Sequence, residues 1–509
     1  MSSRLKMTAR NALWSYGGMG LELVLRFAAR TVFLRCLDSG YLGVNGLFSN
    51  VLGVLSLAEL GIGTAMNFSL YGPAAREDTE KLKSLLRYYK WAYRAVAAVI
   101  LILGLALLPW LDLLVKDPGG VGDIRVYYLI FLLNTVSSYF VSYKFALAHA
   151  RQEGYLFTGI HTAATAVTTL AQMALLLLGG DYLGYLLLGA AAGLVRLLVS
   201  GWYLDRRYPI LREKGAKPLP VAERRVLVGK LRALLLHKLG EVSVHQTDNI
   251  LISAFVSLRA VGMISNYTLL LSSVSGIIGV LFSAVTGSLG NLVATESKQK
   301  QYAVFRVCRF LTFWLYGFSA IALYVLATPF IRHWLGPELV LGDGVMGLIW
   351  LNAYLMGHRV CLNSIKTAAG LVERDRYVAL VQAGVNLVCS VIFARWMGLP
   401  GVYLGTVAQG LVSTVVKPVL FYRELFGVSS REYFADGARF LGAVAAALVP
   451  CLLLRRLLRP EETVLRFLLT AAGTAVIPNV LFFLMFSRSE ELRRLLEIGK
   501  TLLTRRNAA

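Results

Sequence analysis

Glu22, Arg26 and Arg30 follow one another at intervals of four inside a stretch, residues 11–37, that is otherwise apolar enough to cross a bilayer. An ionised side chain at bilayer depth costs about 2.5–3.5 kcal/mol on insertion scales, so such groups face a bundle interior or a wet cavity and mark a pathway. Glu22 and Arg26 can neutralise each other at separation four, which leaves Arg30 over. A second stripe comes later: Lys238, Glu241, His245, Asp248 and Asn249 recur at separations of three and four, with His237 beside them. That spacing puts them along one helical face. His358, Arg359 and Asn363 form a further polar group, as do Asn45, Asn50 and Glu59. Buried guanidinium and ammonium groups hold anionic oxygens, arginine through forked hydrogen bonds. Intramembrane carboxylates serve proton and ion relays. Arg26, Arg30, Arg359, Lys238, His245, Asn249 and His358 are therefore candidate substrate ligands, and Glu22, Glu241 and Asp248 candidate ion-coupling groups. Arg196 and Lys366 stand near span ends, where long side chains snorkel to the interface.

The elements that position these groups are membrane helices. A mean hydropathy of +0.62, with 57% hydrophobic residues over 509 positions, lies outside soluble globular usage. Apolar stretches long enough to span recur along the chain, the first near 11–36, the second near 41–71, the seventh near 232–256 and the tenth near 344–368. They are too long and uniform for barrel strands, so the expected fold is an all-α polytopic membrane protein of about fourteen spans. The net charge of +23 follows the alternation of spans, with most of the 52 Lys and Arg on one side. That bias places both termini in the cytoplasm and sets the basic loops against anionic membrane lipids. No basic and aromatic interleaving accompanies it, which argues against nucleic acid. The N-terminus opens like a signal peptide, but its charges interrupt the apolar run, so a retained first helix is expected. Five scattered cysteines read as small core residues. No glycine-rich nucleotide loop or metal cluster appears, and the outer loops are short. We therefore expect no catalytic residue, no cofactor and no metal, and read the chain as no enzyme.

A weak internal repeat organises the chain. A shift of 219 lays Glu22 on Glu241, Arg26 on His245, Arg30 on Asn249 and Gly43 on Gly262; a shift of 221 lays GDYLGYLLLG from Gly180 on GVYLGTVAQG from Gly401, and Arg196 on Lys417. Each unit holds six spans, an even number, so the halves share one orientation and should be related by an axis along the membrane normal. The expected domains are 1–204, a six-helix bundle; 205–231, a basic cytoplasmic linker; 232–437, a second six-helix bundle; and 438–509, two added spans and a tail. Two bundles that each begin with a polar helix imply a central cavity.

The segment TDNILISAFVSLRAVGMISNYTLLLSSV from Thr247, and the stretch from Gly370 to Phe426 with ERDRY, GVNLVCSVIFA and GVYLGTVAQG, resemble polysaccharide flippases of the multidrug/oligosaccharidyl-lipid/polysaccharide (MOP) exporter superfamily. The resemblance implies translocation of an undecaprenyl-pyrophosphate-linked oligosaccharide across a bacterial cytoplasmic membrane, by alternating access of the two bundles. It implies a cavity lined with basic residues, and Arg26 falls where a first-helix arginine is expected. His245 stands where a second-half arginine would complete the symmetry. The implied drive is a proton or Na⁺ gradient or the membrane potential, and the implied partners include other membrane proteins of polysaccharide assembly. Two alternatives stand beside it: a multidrug exporter of the same superfamily, and, from another class, a membrane polymerase or glycosyltransferase acting on lipid-linked glycans. An acidic cavity would favour cationic drugs. Here Arg26, Arg30, Lys238 and Arg359 face Glu22, Glu59, Glu241 and Asp248, a formal tie.

Overall fold

The computed structural model describes residues 2–507 apart from 57, 58, 60, 61, 119, 152, 214, 216 and 372–374; within its helices, the side chains of 2–17, 64, 65, 154–158, 230–245, 280, 281, 283–288, 290, 291, 294, 376, 498, 499 and 501–507 are outside the description. The chain divides into two compact units, Met1–Gly262 and Met263–Ala509. The first holds α1 (Ser2–Cys36), α2 (Ser39–Leu55), α3 (Ile62–Ala75), α4 (Thr79–Leu107), α5 (Leu111–Leu114), α6 (Ile124–Ala150), α7 (Gly154–Leu177), α8 (Tyr182–Arg207), α9 (Val221–Phe255) and the start of α10 (Leu258–Thr295). The second continues α10 and adds α11 (Lys298–Leu335), α12 (Asp343–His358), α13 (Val360–Ala368), α14 (Arg376–Met397), α15 (Leu399–Phe426), α16 (Ser430–Leu458), α17 (Val464–Phe486) and α18 (Glu490–Asn507). The fold is all-α.

Among the described residues eleven helices are long and apolar enough to cross a membrane. Helices α1 and α9, and the pair α2 and α3, stand at the remaining three of the fourteen expected positions but are not among the eleven. The expected second span, 41–71, is broken between Leu55 and Ile62, so neither piece has the length to cross. Their residues explain where helices start. Asp38, Asp78, Asp123 and Asp181 accept backbone N–H groups at the first turns of α2, α4, α6 and α8, as Ser297, Ser429 and Thr463 do for α11, α16 and α17. Prolines 329, 418, 450 and 478 lie inside helices, which membrane bundles tolerate better than soluble ones. Large apolar side chains such as Leu178, Trp396 and Leu457 point outward, as a hydrocarbon surround allows.

In the first unit α6 packs against α2, α3, α4 and α8, α1 packs on α7, and α9 packs on α2, α3 and α5. The core is rich in tyrosine, with Phe33, Tyr41, Tyr127, Tyr182 and Tyr185 in edge and stacked contacts. Gly43 and Gly262, partners in the sequence repeat, meet where α2 crosses the start of α10. A Cβ on Gly43 would stand 2.0 Å from the Leu258 carbonyl oxygen, and one on Gly262 would stand 2.0 Å from that of Ser39. Small residues let helix backbones approach this closely. Gly43→Ala should therefore push the crossing apart and cost about 1–3 kcal/mol, read as a lower melting temperature of the purified protein. An unchanged melting temperature would mean that the crossing yields freely.

In the second unit α14 and α15 form a tight hairpin, α12 lies between α11 and α15, and α16 and α17 pack on α11. Phe313 stacks on Phe440 with centroids 4.4 Å apart, joining α11 to α16. The tenth expected span is interrupted at Arg359, whose φ of −90° and ψ of −8° separate α12 from α13. Neither proline nor glycine stands at that position.

Outside the spans, Glu153 between α6 and α7 accepts hydrogen bonds from Tyr208 and, at 3.0 Å, from Arg207 at the end of α8. The Tyr208 hydroxyl, with Arg207, holds its carboxyl below the usual glutamate value of 4.5. A depressed carboxyl contributes stability that is present above 4.5 and lost as pH falls through the lower folded value. The contact should loosen under acid, exposing the turn to hydrogen exchange. In Glu153→Gln that acid dependence should vanish.

Candidate functional site

The polar groups gather in two places, one in each unit. In the first, a cavity of about 340 Å³ opens among α2, α6, α7 and α8. Its polar lining comprises Asn45, Asn134, three α7 threonines, Gln172, Tyr185 and Arg196. The glycines of α8 make the room: a Cβ on Gly189 would stand 2.7 Å from Gln172 Nε2, and one on Gly193 would stand 3.1 Å from Asn134 Oδ1. Asn45 Oδ1 accepts from the Tyr182 hydroxyl at 3.0 Å, and Gln172 Nε2 donates to the Tyr185 carbonyl at 3.0 Å. Arg196 Nη1 lies 2.7 Å from His161 Nδ1. Arg196, expected to snorkel, instead lines the cavity.

Of the first-helix stripe, Arg26 pairs with Glu22 at 2.6 Å, and both side chains are about half exposed. This is the local neutralisation their spacing allows. Arg30 interacts electrostatically with Tyr185, which lines the cavity with Asn45, but neither Arg30 nor Arg26 is among the described lining residues. On α9, Asn249 lies against Gly46 of α2, and the Gln246 carbonyl accepts from Asn50 Nδ2 at 3.1 Å. Asp248 also lies on α9. The side chains of Lys238, Glu241 and His245 lie outside the described residues.

The second place is a buried basic cluster in the second unit. Arg309 on α11 is 1% exposed; it donates to the Tyr433 carbonyl at 2.6 Å, reaches Asp436 Oδ2 and His358 Nε2 at 3.3 Å, and stacks over the Tyr433 ring at 3.8 Å. His358 and Arg359 are each 5% exposed. Arg359 Nε donates to the Leu355 carbonyl at 2.9 Å, and among the described residues no carboxylate pairs with it. Further along, Asp375 is shared by two ammonium groups: Lys366 at 2.5 Å and Lys417 at 3.7 Å. Lys417 also donates to Asn363 Oδ1 at 3.4 Å. Lys366, expected to snorkel, is buried and paired. Its mate is nine residues away across a turn, where no helical spacing announces it.

Arg309, Asp375, Asn134 and Gln172 are the residues that sequence reasoning missed. Asp375 lies inside ERDRY, whose flanking arginines give it the look of a solvated loop. Lys417 was marked only as the repeat partner of Arg196. In the structure these two equivalents each serve their unit's polar site. A polar hairpin network completes the second unit: Gln382 donates to Gln409 Oε1 at 2.8 Å and Ser390 to the Val402 carbonyl at 3.0 Å. The five cysteines are free thiols. Among the described residues no His, Cys, Asp and Glu group could hold a metal ion.

No protein-family model matches the chain, and no curated protein does. Solved structures are similar to it. The lipid II flippase MurJ, in an inward closed conformation, superposes with a TM-score of 0.64 at 12% identity, over 94% of this chain and 99% of that one. An inward-facing multidrug resistance MATE family transporter of the MOP superfamily gives 0.57 at 15% identity, over 78% of this chain and 92% of that one. A mutant of the Vibrio cholerae MATE transporter VcmN gives 0.53 at 14% identity, over 84% and 99%. The chain thus has the all-helical fold of MOP superfamily transporters over most of its length.

Proposed function

We propose that the chain is a transporter, not an enzyme, and that it moves an undecaprenyl-pyrophosphate-linked oligosaccharide from the inner to the outer leaflet of a bacterial cytoplasmic membrane. The observation that carries this is the surplus of cations in the second unit, three of them buried and Lys417 partly so. Arg309, Arg359, Lys366 and Lys417 are answered there by only Asp375 and Asp436 among the described residues. Removing a charge from water is expensive, and a pathway for an anionic phosphate headgroup is a reason to bear that cost. A cationic drug would need the opposite lining. The cavity of the first unit is lined by no carboxylate, and Glu22, the acid nearest Arg26, is already paired.

The likeness to a lipid II flippase supports a lipid-linked cargo by analogy of fold. On this reading the prenyl tail stays in lipid, the basic loops face the cytoplasm, and the drive is an ion gradient or the membrane potential. The test is purified protein in liposomes holding a labelled prenyl-pyrophosphate oligosaccharide, with inner-to-outer movement scored with and without gradients. Movement of the glycan lipid above protein-free liposomes supports the reading. Movement of a cationic dye without movement of the glycan lipid overturns it.

A further inference from the structure

The first unit's cavity differs in chemistry from the basic cluster of the second, and the difference identifies what it takes. Among the described residues its lining holds amides and hydroxyls, one guanidinium and no carboxylate. The amides are only partly used. Asn45 Oδ1 accepts from Tyr182, leaving its N–H donors; Gln172 donates to a backbone carbonyl, leaving its oxygen; and among the described residues the Asn134 side chain makes no hydrogen bond. Thr168 spends its proton on the Ala164 carbonyl at 2.8 Å, so its oxygen remains an acceptor. Spare donors and acceptors thus line one space, which suits a ligand whose hydroxyls both give and accept hydrogen bonds. The Tyr185 side chain lines the cavity, and Gly189 and Gly193, which follow it at intervals of four on the same face of α8, keep that wall open to the amides.

At about 340 Å³ the volume lies at the lower end of the range for ligand pockets, roughly 300–1,000 Å³. That suits a sugar unit more than a whole glycan. Arg196 adds direction. Its only described polar partner is His161, so no acid cancels its charge inside the cavity. A cationic ligand is disfavoured and a carboxylate-bearing one is favoured.

We infer that this cavity is a sugar subsite of the first unit, taking one glycan residue through Asn45, Asn134, Thr168 and Gln172 and favouring an acidic sugar through Arg196. The inference rests on the glycan reading above, and it places glycan recognition in one bundle and charge binding in the other.

The test uses the full chain in lipid nanodiscs and saturation-transfer difference NMR, with glucose, glucuronate and choline as probes. Glucuronate should bind more tightly than glucose, and choline should receive no transfer. Asn134→Leu, at an exposed position with no structural bond, should weaken both sugars by about tenfold or more. Gly193→Leu, which fills the space, should do the same. Arg196→Gln should erase the advantage of glucuronate over glucose. Equal transfer to choline and the sugars overturns the inference, as does unchanged sugar binding by both Asn134→Leu and Gly193→Leu when they elute as folded protein. The two readings fail separately. Sugar binding that the variants weaken, in a protein that moves no glycan lipid, would keep the subsite and sink the transport reading. Glycan transport at normal rate by Asn134→Leu and Gly193→Leu, with no sugar bound, would do the reverse.

Discussion

Asp375→Asn should lower the stability of the purified protein by about 3–5 kcal/mol, the cost of leaving buried charge without its counterion. Asp375 is 3% exposed, and its Oδ2 serves Lys366 at 2.5 Å and Lys417 at 3.7 Å. Asparagine keeps the shape and a carbonyl oxygen but cancels neither ammonium charge. Lys366, itself 5% exposed, has no water to turn to. The double variant Asp375→Asn with Lys366→Met removes one stranded cation and should recover most of the loss, because replacing a buried pair by apolar groups is often neutral. Thermal unfolding of the two variants beside the parent decides the matter. A single variant within about 1 kcal/mol of the parent would show that water reaches the cluster.

The fold was readable because lipid imposes a simple rule: each long apolar run must be a helix. What the run could not announce was its interruption. Residues 41–71 read as one long span, yet the helix ends at Leu55 and resumes at Ile62, in a segment with Glu59 and glycines at 61 and 63. At the end of α12 the signal is shorter: Gly357, His358 and Arg359 in succession.

The site was less legible than the fold. Spacing found the Glu22 and Arg26 pair because helix geometry fixes which residues at separation four can meet. Spacing is silent about Arg309 and Asp436, which lie on different helices and are brought together by packing of α11 on α16. The amide-lined cavity was invisible for a related reason. Asn134, Thr168 and Gln172 are ordinary alone, and only the assembly of four helices sets them around one space. The repeat did better. It aligned Gly43 with Gly262, which meet in the structure, and Arg196 with Lys417, which stand in different surroundings: Arg196 lines the cavity beside His161, and Lys417 lies by Asp375 and Asn363.

Arg359→Ala should reduce glycan transport by roughly ten- to a hundredfold while leaving the amount of inserted protein near normal. The guanidinium sits at the break between α12 and α13, held by one bond from Nε to the Leu355 carbonyl. Its charge is uncancelled by any described carboxylate, so its loss strands no acid. The expected size follows from the worth of a hydrogen bond to a charged group, about 1.5–3 kcal/mol, converted to a rate ratio. Arg359→Lys should recover only part, since an ammonium cannot make the forked contact. Arg26 tests the same idea from the other unit. Its loss leaves Glu22 without its partner inside the first helix, so a purely structural Arg26 would show as a lower amount of inserted protein in Arg26→Ala. If Arg26 also holds phosphate, transport should fall in that variant at normal abundance. Measuring membrane abundance beside transport separates the roles. Full transport by Arg359→Ala at normal abundance would remove Arg359 from the binding machinery, and loss of the protein from the membrane would make it a structural cation instead.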